Sequence, residues 1–205
     1  MTSLPHPSSD PEQFFLWLRV TSEHFWTQAP INSTIYGFQI QAGTRWLPGL
    51  TEGEIARFEA DLGFSFPSIY RLFLKHMNGT DKMAVNVYGE SGHPYGYAPA
   101  YYSYPRDLDV IKDYIRWIYE EFNVTTEIVD QQHIPHIIPI TGHRFLIVDR
   151  CKTHPMLSMY GRDTIIYAPS LQAFLVNDIL NNHSFEATDV PIDVRFWLDD
   201  EDNES

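Results

Sequence analysis

Three histidines lie close together in the sequence and are the first candidates for chemistry. His133 and His136 are three residues apart, a spacing that can hold a metal ion on a helix, and His143 follows them. Pro135 interrupts the pair, and no cysteine or carboxylate pattern completes a set of ligands. We therefore predict that these histidines form no metal site.

A second set of residues has the types, but not the pattern, of a hydrolytic enzyme. Ser158, His154 and Asp163 could supply nucleophile, base and acid, yet no nucleophile-elbow pattern surrounds the serine. The glycines of residues 89–96 match neither a phosphate-binding loop nor a dinucleotide fingerprint. The sequence therefore predicts a protein that is not an enzyme and that binds no cofactor.

Four carboxylates close together could do acid–base chemistry, and one thiol could be a nucleophile. Glu52, Glu54, Glu59 and Asp61 fall on a short helix, whose first turn favours acidic side chains, so we interpret them as capping and solvating groups. Cys151 is the only cysteine, and we interpret it as an inert residue at the end of a strand.

The charge balance limits the classes of partner. The 205 residues include 27 acidic and 14 basic side chains, a formal net charge of -13. This charge repels phosphate backbones and anionic lipids, so we expect neither nucleic acid nor a membrane as a partner, and a basic protein is favoured. The single cysteine, the missing signal-peptide pattern and the absence of an apolar run of ~20 residues predict a cytoplasmic protein.

The strongest local pattern predicts two short helices joined by a tight turn. Thr51 and Glu54 have the spacing of a capping box, in which each side chain bonds a free backbone amide of the first turn. Gly63 ends the first helix, Pro67 suits the first turn of the second, and Asn78-Gly79 closes it. Isolated helices below roughly 12–15 residues are marginal in water, so both must pack against other elements.

Apolar periodicity predicts the remaining elements. Helices are expected over 11–26, 107–122 and 170–180, strands over 34–41, 83–89, 145–149, 156–160 and 164–167, a short extended piece at 136–139 and an edge strand at 190–198. Residues 123–136 show no regular pattern outside the extended piece at their end. The strands after residue 144 follow one another too closely for parallel crossovers, so they must pair antiparallel, and the apolar strand 145–149 should be central and covered on both faces.

The domain organisation follows from composition. We predict a flexible lead at 1–10, one α+β domain at 11–198 and a mobile acidic tail at 199–205. Within the domain, 11–45 is an N-terminal helix and strand extension, and 46–180 is the core.

A tyrosine-rich segment, residues 89–105, follows the second predicted strand. Its candidate partner-binding residues are Glu90, Tyr95, Tyr97, Tyr101 and Tyr102, which lie among glycines and prolines typical of an ordered loop. Tyrosine offers a large contact area and a hydroxyl at low entropic cost, so exposed clusters often mark interfaces. Two interpretations remain open: a lid over the core, or a loop that contacts a partner.

The helix pair resembles the SUKH superfamily, which includes the Smi/Knr regulators of fungal cell-wall assembly and many bacterial immunity proteins. The matching residues are Trp46, Gly49, Glu59, Leu62-Gly63, Pro67, Tyr70, Phe73-Leu74 and Asn78-Gly79. A weaker match continues through residues 137–149 and 163–179. Each matching residue also has an explanation in capping, packing or turn geometry, so the motif identifies a scaffold.

The resemblance implies a fold and a class of function. The fold would be α+β, with helices mainly on one side of a sheet that is antiparallel, a mixed sheet remaining open. The function would be non-enzymatic protein binding, with an immunity protein that neutralises a toxin, in particular a basic toxin domain, as the first hypothesis. The alternatives are an intracellular regulator or adaptor of the fungal Smi/Knr type, or a small-ligand-binding protein or enzyme.

Overall fold

The computed structural model describes residues 9–28, 30–88, 94–181, 194 and 196–198. Its helices are α1 (Pro11–Trp26), α2 (Glu52–Leu62), α3 (Ser68–His76), α4 (Leu108–Glu121), α5 (Thr126–Gln131) and α6 (Leu171–Leu180). Its strands are β1 (Gly37–Gln39), β2 (Met83–Val87), β3 (Gly96–Pro99), β4 (Ile137–Thr141), β5 (Arg144–Ile147), β6 (Met156–Tyr160) and β7 (Asp163–Ala168). All strand pairs are antiparallel, which confirms the predicted α+β class, and the strands form two sheets.

The chain divides into two compact units. Unit 1 consists of Met1–Phe58 and Ser68–Arg106, and unit 2 of Glu59–Pro67 and Asp107–Ser205. Unit 1 contains the sheet β1-β2-β3, and unit 2 contains the sheet β4-β5-β6-β7.

The core of unit 1 forms where α1 packs against α3. The rings of Phe15 and Phe73 meet edge to face with centroids 5.8 Å apart. In the sheet, Val85 and Val87 of β2 are buried, whereas the residue between them, Asn86, is not. Ala84, on the Asn86 face, is buried as well, so the alternation is partial and both faces of this strand are covered in part.

The predicted signals of the helix pair are confirmed at atomic detail. The amide of Thr51 donates to Glu54 Oε2 at 2.8 Å, and the amide of Glu54 donates to Thr51 Oγ1 at 3.3 Å, which completes the capping box. After α2, Gly63 has φ +84° and its amide donates to the carbonyl of Glu59 at 2.8 Å. This left-handed conformation is one that glycine adopts at little cost.

The sheet of unit 2 is buried at its centre. Phe145, Leu146 and Ile147 of β5 are all buried, so both faces are covered there, as predicted for this apolar strand. The ring of Tyr114 on α4 lies 6.4 Å from Phe145. Ser170 caps α6 as predicted, with its Oγ accepting from the amide of Ala173 at 3.1 Å.

Three sequence predictions are corrected by the structure. Residues 123–136 contain the short helix α5, β1 is shorter than the predicted strand 34–41, and part of the tyrosine-rich segment forms the strand β3 rather than a loop. Tertiary pairing decides these short elements, and local pattern carries little of that information.

Other predictions fall largely beyond what is described. Residues 1–8, the acidic tail 199–205 and most of the predicted strand 190–198 lie outside the described residues, and 196–198 form a turn. Among the helices that are described, none combines the length and apolarity needed to cross a bilayer.

Two glycines close in sequence give opposite expectations for stability. A Cβ on Gly49 would lie 1.8 Å from the carbonyl oxygen of Lys75, whereas a Cβ on Gly53 would meet nothing within 4 Å. Gly49→Ala should therefore destabilise the fold by more than about 2 kcal/mol, because backbone must move. Gly53→Ala, in the first turn of α2, should be neutral or stabilise by about 0.5–1 kcal/mol. Urea unfolding measures both, and equal effects would contradict this packing.

Candidate functional site

Trp46 is the aromatic centre of unit 1. Its indole Nε1 donates to Ser22 Oγ at 2.7 Å, and both residues are buried. Its ring lies 5.3 Å from Trp26 and 4.9 Å from Tyr101, centroid to centroid. The tryptophan of the motif therefore joins α1 to the tyrosine-rich segment inside the core.

The end of the motif is fastened to the same segment. Asn78 Nδ2 donates to the carbonyl of Tyr104 at 2.7 Å, and the amide of Tyr104 donates back to Asn78 Oδ1 at 2.9 Å. Gly79 has φ +72°, and a Cβ there would lie 2.8 Å from both the amide nitrogen of Ser103 and the carbonyl oxygen of Tyr101. The Asn-Gly pair thus holds the backbone of the tyrosine-rich segment in place. A residue with a Cβ at position 79 would fit only if that backbone moved.

The remaining motif residues also serve the scaffold. Glu59 Oε1 accepts from the amide of Phe66 at 2.7 Å, which ties the end of α2 to the turn after it. Tyr70 is buried and stacked on Phe73 at 5.9 Å, and burial raises the pKa of its hydroxyl. Pro67 directly precedes α3, as its fixed φ angle favours.

The five residues predicted to contact a partner are not one surface. Tyr101 and Tyr102 are 2% and 8% exposed, whereas Tyr95 and Tyr97 are 39% and 64% exposed. Glu90 lies outside the described residues. The lid interpretation therefore fits the first pair and the partner-contact interpretation fits the second.

More exposed aromatic side chains lie on the other strands of this sheet. Tyr36, just before β1, is 73% exposed, and Phe38, within β1, is 60% exposed. Tyr88, just after β2, is also exposed. Phe38 is paired with Asn86 and so shares a face with it, while Tyr97 shares the opposite face with Val85. We name Phe38, with the neighbouring Tyr36 and Tyr88, the aromatic sheet surface. Tyr97, on the opposite face, is not part of it. Sequence reasoning did not single out these three residues as contacts, although alternation along 34–41 already placed Tyr36 and Phe38 on one face.

Unit 2 contains a cavity of about 420 Å³. It lies among the end of α2, one face of α4 and the start of α5. We name this the unit 2 cavity; its lining is Asp61, Leu62, Phe64, Lys112, Ile115, Arg116, Tyr119, Glu120, Val124, Thr125, Thr126, Glu127 and His136. This cavity was not predicted from the sequence because α5 was not predicted. Thr125, whose Oγ1 accepts from the amide of Ile128 at 3.4 Å, is nevertheless a recognisable helix cap.

A buried histidine in the cavity wall is held by charged partners. His136 Nδ1 lies 2.8 Å from Asp149 Oδ2, and its backbone amide donates to Asp149 Oδ1 at 2.8 Å. Nε2 lies 3.4 Å from Asp130 Oδ1, which accepts from Arg150 Nη2 at 2.8 Å. The ring stacks on Phe64 with centroids 4.6 Å apart. Contacts on its edges and face fix the orientation of the imidazole.

The hydrogen bonds of this network lower the pKa values of both carboxyl groups. Burial alone would raise the pKa of Asp149, but the side-chain and backbone hydrogen bonds from His136 outweigh it and hold the pKa below its usual value. The hydrogen bond from Arg150 is the main cause that lowers the pKa of Asp130. Both groups therefore carry negative charge at neutral pH beside His136.

The other residues singled out for chemistry form no nucleophile–base pair of serine and histidine: each has its own hydrogen-bond partner, and Cys151 Sγ lies 3.8 Å from His154 Nδ1. Ser158 Oγ accepts from Arg144 Nη1 at 2.6 Å, and His154 Nδ1 lies 3.1 Å from the carbonyl oxygen of Ile147. Burial raises the pKa of the Cys151 thiol to about 11. Within the described ranges, no cluster of three or more histidine, cysteine and carboxylate side chains could hold a metal ion.

Together these features define an α+β protein with two small antiparallel sheets, in which the motif residues cap helices, pack in the core and hold backbone. A family model described as the SMI1 / KNR4 family (SUKH-1) matches residues 49–177, more than half of the chain, and the chain belongs to this family. The resemblance inferred from the helix pair is thereby confirmed. No curated protein and no solved structure matches the chain.

The contact between Asp149 and His136 makes stability depend on pH. A carboxyl group whose pKa is depressed by folding stabilises the fold above its unfolded value of about 3.9, and this stabilisation is lost as the pH falls through the folded value. Asp149→Asn should cost about 1–3 kcal/mol at pH 7 and less below pH ~4. Urea unfolding at pH 7 and pH 3 measures the difference. The matched control is Asp163→Asn, at the exposed start of β7; a pH-independent cost for Asp149→Asn would contradict this account.

Proposed function

We propose that this protein is a non-enzymatic protein-binding module, an immunity protein that binds and neutralises a toxin in the cytoplasm. The family supports binding on a scaffold, since its motif residues are used in capping, packing and backbone hydrogen bonds. The observation that carries the proposal is the aromatic sheet surface. Partially buried aromatic side chains are enriched in the centres of protein interfaces, and on a sheet they are held with little loss of side-chain entropy on binding.

The chemistry of this surface is suited to a protein partner. Tyr36 and Phe38 are 73% and 60% exposed, and Tyr88 is 43% exposed. Exposed apolar area that stays in water contributes nothing to the fold, and a cluster of it commonly marks an interaction site. Phe38 lies on the paired strand β1, and Tyr36 and Tyr88 directly adjoin β1 and β2. A partner would therefore meet side chains held next to paired strands rather than a loop that must first be ordered.

The charge of the chain suggests the kind of toxin. A net charge of -13 attracts a basic domain, such as one that acts on nucleic acid, and raises the rate of encounter. Long-range attraction of this type is screened by salt, with a Debye length of about 8 Å at physiological ionic strength. Association with a basic toxin should therefore slow markedly as salt is added, while dissociation should change little.

The direct test is co-expression with the product of the gene adjacent to its own. Binding in a pull-down, together with rescue of growth or loss of the toxin's activity, would support an immunity protein. Binding without neutralisation would instead favour the regulatory or adaptor role. If the neighbouring protein is toxic and is neither bound nor neutralised, the immunity proposal is wrong.

Single substitutions test the surface. Phe38→Ala and Tyr36→Ala should each weaken partner binding about tenfold or more, because each removes a large ring from the proposed contact. Neither should alter unfolding by more than about 0.5 kcal/mol, since both rings are largely exposed. Tyr160→Ala, which removes an exposed tyrosine in unit 2, is the matched control and should leave affinity unchanged. Isothermal titration calorimetry measures all three, and equal affinities for all variants would place the contact elsewhere.

A further inference from the structure

We propose that the unit 2 cavity binds a small zwitterionic molecule with an apolar body, namely a free amino acid with a large apolar side chain. This site is separate from the aromatic sheet surface and does not rest on the immunity role. Three properties of the cavity carry the proposal: its size, its apolar wall and the unpaired charges of both signs around it.

The size fits a small molecule. Ligand pockets in proteins commonly enclose about 300–1,000 Å³, and this cavity has about 420 Å³. That is more space than a single water needs, and too little for a folded partner to enter. A free amino acid can be accommodated with its backbone atoms and a side chain of the size of phenylalanine.

The wall offers a surface for an apolar group. Ile115 and Tyr119 lie on one side of α4 and are buried, and Leu62 and Phe64 approach from the end of α2. Phe64 is fixed by its stacking on His136 at 4.6 Å. An aromatic or branched aliphatic side chain placed here would be removed from water against rings and methyl groups that are already held in position.

Charges of both signs face the same space without neutralising one another. Lys112 is half-buried and forms no ion pair with the carboxylates that the structure describes, and Glu120 and Glu127 likewise pair with no described cation. Arg116, by contrast, already bonds Asp113 at 2.9 Å. Opposite charges held apart around an apolar wall match a ligand that carries an ammonium and a carboxylate on one carbon.

The two charged groups can be given separate roles. Lys112 is the available cation for a carboxylate, since a lysine ammonium gains most from a charge-assisted hydrogen bond when it is partly buried. Glu127 is the available anion for an ammonium: the hydrogen bond from the side chain of Thr125 orients it and holds its pKa below its usual value, so it is charged at neutral pH. Each charge of the ligand thus has one named protein group.

The test uses L-phenylalanine and two analogues that each lack one charge. N-acetyl-L-phenylalanine has no ammonium, and L-phenylalanine amide has no carboxylate. Calorimetric titration of the full chain should give a Kd of about 1 mM or tighter for L-phenylalanine and values about tenfold weaker for each analogue.

Two charge-removing variants locate the site. Lys112→Gln should bind L-phenylalanine about tenfold more weakly than the unmodified chain does. This variant should bind L-phenylalanine no more tightly than L-phenylalanine amide, but still more tightly than N-acetyl-L-phenylalanine. Glu127→Gln should show the reverse pattern. Lys152→Gln, which removes an exposed lysine outside the cavity, is the matched control and should behave as the unmodified chain.

The possible results decide this proposal independently of the proposed immunity role. No binding of L-phenylalanine, L-leucine or L-tryptophan at 10 mM would overturn the proposal, as would equal binding of the amide and the free acid. Binding that neither variant changes would place the site elsewhere and would also overturn it. Loss of the toxin-neutralising role, in contrast, leaves these titrations unaffected, because they require no protein partner.

Discussion

The paired hydrogen bonds between the Asn78 amide and the backbone of Tyr104 are the constraint on which the rest of unit 1 depends. One buried side chain satisfies both backbone polar groups of a residue distant in sequence, at 2.7 and 2.9 Å. A buried backbone group left unpaired costs about 1–3 kcal/mol, so the segment cannot drift from the end of α3 without a large loss. That attachment fixes Tyr101 against Trp46 and, with it, the packing of α1 on the core.

This constraint explains why some side chains of the tyrosine-rich segment are buried and others are exposed. Tyr101 and Tyr102 lie close to the attachment and are drawn into the core, while Tyr95 and Tyr97, on or before β3, remain exposed. The family motif therefore does not itself offer a contact surface. It holds a sheet rigidly enough that side chains on its strands can vary with little effect on the fold, which is a property expected of a binding scaffold.

Local sequence signals predicted local structure well and long-range pairing poorly. The capping box of Thr51 and Glu54 and the left-handed Gly63 were predictable because each depends on neighbours within four residues. The helix α5 was missed because a six-residue helix gives too short a period to recognise. The contact of His136 with Asp149 joins residues on either side of the β4–β5 hairpin, so it requires the register of two strands, which the sequence of neither strand specifies. The two candidate sites were the least predictable part of the structure, because both consist of residues that only the folded chain brings together.

The division of the chain into two units has an evolutionary consequence. The exposed rings belong to unit 1 and the lining of the cavity belongs wholly to unit 2, so the two sets share no residue. Substitutions that retune one surface can accumulate without passing through variants that damage the other. A lineage under pressure to follow a changing partner could replace Tyr36, Phe38 or Tyr88 repeatedly while Lys112 and Glu127 stay as they are. Among homologues of such a chain, the sequence would diverge fast at the exposed positions of one sheet and slowly at the positions around the cavity.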